Sequence, residues 1–352
     1  MFKKILSVIT LVLVAVVVWV ARDSLTSSIG YIKTLNIWVL LFLIPEQLFM
    51  YYAAGQMYFA YIKAKQKVKV QGWKLARISL ELNFVNHILP SAGVAGLGYL
   101  VWRLKEWRIS AGQAVFMHIL RYGIAVIATT VQMWVAMIIL ATMGLLPWQL
   151  FGIGAAACLG MEAVVVAVFI IIMKKKRIDW FSRVSTKAVN ATVKKVTFGK
   201  KQKVLKESKV DHFFTELHGG WLVIRKKPKA LINPYLWGVL YSFLEVATYW
   251  VVATALGHPE ILPQLILGQG LASIVGTILA TPGGVGGYEG AMIFVLVMSG
   301  VSIEIATITV IVTRVMVLLG TIVSGWGFYQ HALLSKKTKP SLEELEHGAL
   351  DS

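Results

Sequence analysis

Long apolar stretches separated by shorter polar ones run through the chain, at about 5–21, 37–62, 79–102, 112–142, 149–173, 234–257, 262–300 and 304–330. Several contain the roughly 20 consecutive apolar residues that a helix needs to cross a bilayer. The pattern predicts an all-α integral membrane protein. Two stretches depart from it. Segment 79–102 carries Glu81, Asn83, Asn86 and His87, then Pro90, Gly93, Gly96 and Gly98. Segment 262–300 is interrupted by Pro282, Gly283, Gly284, Val285, Gly286, Gly287, Tyr288 and Glu289. The apolar run after that break, 291–299, is too short to span as a helix.

Composition agrees: of 352 residues 57% are hydrophobic and 15% charged, against about a quarter charged in soluble domains. The single cysteine, Cys158, sits in an apolar stretch, which leaves no disulfide framework and no cysteine metal site. Lys3 and Lys4 followed by the long run from Ile5 to Val20 read as an uncleaved first span rather than a secretory signal. The net charge of +18 raises the question of which loops hold it, and not of nucleic acid.

Charge then sets the topology. With Lys3 and Lys4 inside, the second span returns to a basic loop holding Lys63, Lys65, Lys67, Lys69, Lys74 and Arg77. If 79–102 crossed, loop 174–229 with its 17 Lys and Arg would face outward, against the positive-inside bias. If 79–102 turns back at Pro90–Gly96, that loop is cytoplasmic, and so are both termini. The same walk makes 262–300 re-entrant from outside, although two full crossings there keep the same parity. The expectation is about six full spans plus two re-entrant broken-helix segments.

Two units then align. The first has Glu46, the turn Pro90–Gly96, Ser110 and Arg121; the second has Glu245, the turn Pro282–Gly287, Ser302 and Arg314. Proline to serine is 20 residues in both, and proline to arginine is 31 and 32. Entering from opposite sides, they form an inverted repeat, an architecture that places binding sites near the midplane. The organisation predicted is an N-terminal span and outer loop (1–36), a first unit (37–142), a linking span (143–173), a basic cytoplasmic loop (174–233), a second unit (234–330) and a cytoplasmic tail (331–352).

Arg121 and Arg314 lie roughly 15 Å down their spans by helical rise. An arginine at that depth costs about 2.5–3.5 kcal/mol on insertion scales and needs a partner or a wet cavity. Glu46, Glu81, Glu245 and Glu289 are the candidate partners, and Asn86 joins them on the path. The reading is a polar route that binds an anionic head group; the alternative is a buried ion pair locking the units together. His118 and Glu162 read as structural. The glycines of both turns (Gly93, Gly96, Gly283, Gly284, Gly286, Gly287) first permit close packing, and their exposed N–H groups could bind an anion. Trp19, Trp38, Trp102, Trp148, Trp237 and Trp326 fall near span ends and mark depth. The 174–229 loop contains a basic amphipathic pattern suited to an anionic leaflet. In the tail, Pro340-Ser-Leu-Glu-Glu344 has the pattern of a helix cap. No Walker A loop, HExxH or Cys/His cluster occurs, so no cofactor and no metal are expected and transport would not run on ATP hydrolysis in this chain.

The pattern Glu81…Asn86…Pro90-x-x-Gly…Gly96…Ser110…Arg121, with Pro282-Gly-Gly-Val-Gly-Gly-x-Glu289…Gly300-Val-Ser…Ala306…Arg314, resembles the flippase-like membrane domain of the lysylphosphatidylglycerol synthase family. The match departs at 90–93, where Pro-Ser-Ala-Gly lacks the double glycine of the second turn. The resemblance implies a cytoplasmic-membrane protein that moves an anionic or aminoacylated lipid between leaflets. It also implies a stand-alone domain that lacks the soluble aminoacyltransferase part, hence no enzyme. A non-transporting partner of a lipid-modifying enzyme or glycosyltransferase is the alternative, and a small-solute transporter a third. A homo-oligomer is compatible with the sequence.

Overall fold

The structure, a computed structural model, describes residues 35–65, 72–88, 93–196, 207–279 and 286–334. The expected first span 5–21, the turn residues Pro90, Pro282, Gly283 and Gly284, and the cap pattern in the tail lie outside them. Among the described residues every regular element is helical. After a short turn at Ile37–Leu40, the helices are α1 (Leu43–Lys65), α2 (Gly72–Ile88), α3 (Val94–Leu104), α4 (Ala111–Thr142), α5 (Trp148–Met173), α6 (Lys175–Val196), α7 (Glu207–Lys226), α8 (Ile232–Ala255), α9 (Leu262–Leu279), α10 (Gly287–Met298) and α11 (Ile303–Leu334).

Among the described residues six stretches are long and apolar enough to cross a bilayer: Ile37–Tyr58, Ala111–Thr142, Trp148–Met173, Pro228–Ala255, Pro259–Ile278 and Ile303–Leu333. The chain is therefore a multi-pass membrane protein. The set differs from the six spans expected from sequence. It includes 259–278, read above as one arm of a re-entrant segment, because α9 runs unbroken to Leu279. Its partner α10 has 12 residues, about 18 Å of rise, and falls short of a bilayer.

On either side of each glycine–proline break the flanking helices pack against each other as hairpin arms. On α2 and α3, Asn86 faces Gly96, Glu81 meets Tyr99, and Glu81 meets Arg103. Contact positions that advance on one helix and retreat on the other mark antiparallel packing. In the second hairpin, Gly268 of α9 packs against Met292 and Val295 of α10. The second arms begin at Gly93 (φ +86°) and Gly286 (φ +90°), left-handed positions that a side chain would strain.

Burial sorts the helices by depth in the bundle. Among the described spans α5 is the most apolar and the least buried, with 11% of its apolar stretch covered against 50% for the spans containing α8 and α9. Leu159, Val164 and Val166 of α5 remain more than half exposed. Lipid solvates such a surface without penalty, so α5 faces the bilayer. α1 and α8 pack on each other at the centre. The hairpins then cross over: α2 leans on α11, and α9 leans on α4. Phe84 fills the space beside Gly325 in the first contact, and Met133 the space beside Gly270 in the second.

The arginine helices α4 and α11 are both 32 residues long. Ser110 and Ser302 precede them. Gln113 Oε1 accepts from the Ser110 N–H at 3.3 Å, and Ser302 Oγ accepts from the Ile305 N–H at 3.3 Å. The basic 174–233 region folds further than a loop with one amphipathic helix: it forms two helices, α6 and α7. Ile178, Ser182 and Thr186 are buried, and Ser182 Oγ donates to Asp211 at 2.6 Å. α7 in turn seats on α4, where Gly112 faces Phe213 and Gly220 faces Phe116.

Candidate functional site

A cavity of about 200 Å³ lies where α1, α2, α4, α8, α9, α10 and α11 meet. Arg121 and Arg314 both line it, brought there by the long helices of the two halves. Glu245 and Asn86 line it as well. The remaining walls are strongly polar for a membrane interior, including Gln47, Ser79, Asn83, His87, Gln269 and Ser273. Tyr122 also lines it while 48% exposed, so the cavity has an open side.

The two arginines differ in what holds them. Arg314 Nε donates to Glu289 Oε1 at 2.7 Å, and its guanidinium sits 4.6 Å from the centre of the Tyr288 ring. Glu289 also accepts from the Gly286 N–H at 2.7 Å through its other oxygen, a carboxylate at the start of α10 that ties that helix to α11. Arg121 has no such acid: among the described residues no ion pair reaches it. Instead its guanidinium lies 5.2–5.6 Å from the ring centres of Tyr241, Tyr122 and Tyr58. A desolvated cation–π contact contributes about 2 kcal/mol. Three of them are comparable to the several kcal/mol that burying one ion costs. The rings offset the charge, but Arg121 Nε is buried without a hydrogen-bond partner.

The candidate acids separate by position. Tyr241 Oη donates to Glu245 at 2.8 Å, which links that carboxylate to a ring of the Arg121 cage. Glu46 accepts from Thr248 Oγ1 at 3.2 Å and Gln47 Nε2 at 3.0 Å; Gln47 and Thr248, rather than Glu46, line the cavity. Glu81 lies outside the cavity wall. It is fully buried and accepts from Arg77 Nε (2.7 Å), Arg103 Nε (2.8 Å) and Tyr99 Oη (2.7 Å). Arg77 also donates to the Phe328 carbonyl of α11 at 3.1 Å. His118 shares a 3.0 Å hydrogen bond with Tyr58 and stacks on it, a satisfied packing role. Among the described residues no group of three His, Cys, Asp or Glu could hold a metal.

Sequence reasoning missed the tyrosines, since an aromatic residue in an apolar helix reads as core. One signal could have found much of the wall. Ser79, Asn83 and Asn86 on α2, Tyr241, Glu245 and Thr248 on α8, and Gln269 and Ser273 on α9 recur at three- and four-residue steps. Each set is a polar stripe on one helix face inside a membrane span.

The family described as the lysylphosphatidylglycerol synthase TM region matches residues 7–325. No curated protein and no solved structure matches the chain.

Proposed function

Because the chain belongs to the lysylphosphatidylglycerol synthase family through its TM region, we propose that it moves a lipid between leaflets, flippase- or scramblase-fashion. The head group, anionic or aminoacylated, crosses through the cavity while the acyl tails stay in the bilayer. The observation that carries this reading is the partly open polar cavity, walled by both halves of the chain and holding two arginines. A structural lock would need no open side, and Tyr122 is half-exposed at its edge.

The arginines supply positive charge along the path. Glu245, Glu289 and the nearby Glu46 balance them or meet a cationic head group. The reading includes an inverted repeat of two re-entrant units. What supports it is the crossed packing of each hairpin on the other half's arginine helix and the equal length of those helices. It also places the protein in the cell membrane with both termini inside, and has it act as a translocator and not an enzyme. In proteoliposomes, labelled anionic, aminoacylated and polyprenyl lipids test the activity. Acceleration of at least one over protein-free vesicles is expected; no acceleration across the panel sinks the proposal.

One observation favours a second reading, a non-transporting partner of a lipid-modifying enzyme or glycosyltransferase. α6 exposes Trp180, Phe181, Val184 and Val189 among lysines and arginines, a mixed face suited to docking. Co-purification of such an enzyme, with the cellular phenotype intact in Arg314→Ala, would favour it.

A further inference from the structure

The repeat treats Arg121 and Arg314 as equivalents, and their surroundings do not. Glu289, which neutralises Arg314, stands seven residues after Pro282. The residue seven after Pro90 is Leu97, flanked by Gly96 and Gly98. The first unit therefore lacks the acid that the second unit places on its arginine. Tyrosine rings take up the charge of Arg121, but its buried Nε has no acceptor. Three more polar atoms that line the same cavity, Ser79 Oγ, Asn86 Oδ1 and Gln269 Oε1, are likewise buried without a partner. The site is short of hydrogen-bonding partners, and at Arg121 the missing partner is an acceptor.

We propose that the two arginines have divided roles: Arg121 is the group that binds a phosphate oxyanion, and Arg314, held by Glu289, is a latch between the second hairpin and α11. A guanidinium edge matches a phosphate with two parallel N–H donors. The size of the cavity agrees. At about 200 Å³ it has room for a phosphate with a small head group. Glu245, hydrogen-bonded to Tyr241, lies near enough to oppose an excess of negative charge, which favours a single phosphodiester. This assignment deepens the translocation reading, and binding tests it separately from transport.

The experiment compares wild type, Arg121→Gln, Arg121→Lys and Arg314→Gln in nanodiscs containing phosphatidylglycerol or only phosphatidylcholine. Retained lipid is counted by native mass spectrometry, and inorganic phosphate is added as a competitor. Arg121→Gln should lose phosphatidylglycerol retention about tenfold or more, the scale of one charge-assisted hydrogen bond, without a fall in Tm. Arg121→Lys should recover part of it. Arg314→Gln should lower Tm, because it strands Glu289, and should lose less lipid than Arg121→Gln, since Glu289 already holds that charge. Displacement by inorganic phosphate would mean that the site reads the phosphate itself; resistance would mean that it reads phosphate only as part of a lipid. Both support the assignment. Equal loss in Arg121→Gln and Arg314→Gln, or undiminished retention in Arg121→Gln, overturns it. Retention that depends on Arg121 in a protein that moves no lipid would overturn the translocation reading alone.

Discussion

Glu81 accepts three hydrogen bonds from two arginines and a tyrosine while fully buried. Removing the carboxylate takes the acceptor from Tyr99 and from buried Arg103, which keeps, among the described residues, only Glu106 at 3.3 Å, while Arg77 stays partly exposed. Glu81→Ala is therefore expected to destabilise the protein by about 3–5 kcal/mol, read as a lower Tm and weaker denaturant resistance in detergent. Glu81→Gln should cost less, since it keeps an acceptor. At Gly96 the consequence is local: a Cβ there would strike the Asn86 side chain. Gly96→Val should push Asn86 out of the cavity wall and cost about 1–3 kcal/mol through overpacking, measured by the same melts. The two positions separate two uses of polar residues in one hairpin, one holding it together and the other lining the site.

At the scale of helices, close approach is the common device. A Cβ on Gly55 would lie 2.6 Å from the Ala76 nitrogen and 2.7 Å from the Leu75 carbonyl carbon, and backbone cannot turn aside. Gly55→Val should separate α1 from α2, lower Tm and enlarge the cavity mouth, which cysteine cross-linking between the two helices would report as lost proximity. Much at this scale was legible in the sequence. Spans showed because lipid demands long apolar runs, and the separation of α2 from α3 and of α9 from α10 showed because glycine and proline break helices. The acids were harder to sort. Glu81 and Glu245 both look like intramembrane charges, yet only the helix rotation decides that one meets arginines from its own hairpin and the other the cavity. α6 showed as a basic amphipathic pattern, but its packing on α7 did not, because two of its buried residues, Ser182 and Thr186, carry hydroxyls.

For the whole molecule, charge asymmetry gives a testable orientation. The chain's only cysteine, Cys158, is buried, so introduced thiols can be read against a silent background. In intact cells a membrane-impermeant thiol reagent should label His258→Cys in the turn after α8 and spare Lys187→Cys on α6. The reverse pattern would turn the proposed topology inside out. The crossed hairpins have a consequence for how the protein is made. Arg77 on α2 finds one of its acceptors at Phe328 on α11, 251 residues later, and Phe84 packs against Gly325 of the same helix. The translocation machinery therefore releases α2 and α3 long before their final neighbour exists. Until α11 enters, the first hairpin must wait in the membrane with part of its polar and aromatic surface uncovered. Such long-range closure is slow and leaves intermediates open to degradation. A chain truncated before α11 is expected to insert its early spans yet fail to mature, visible in pulse-chase as rapid loss against a stable full-length product. The last helix acts as the keystone of assembly, the piece whose arrival commits everything laid before it.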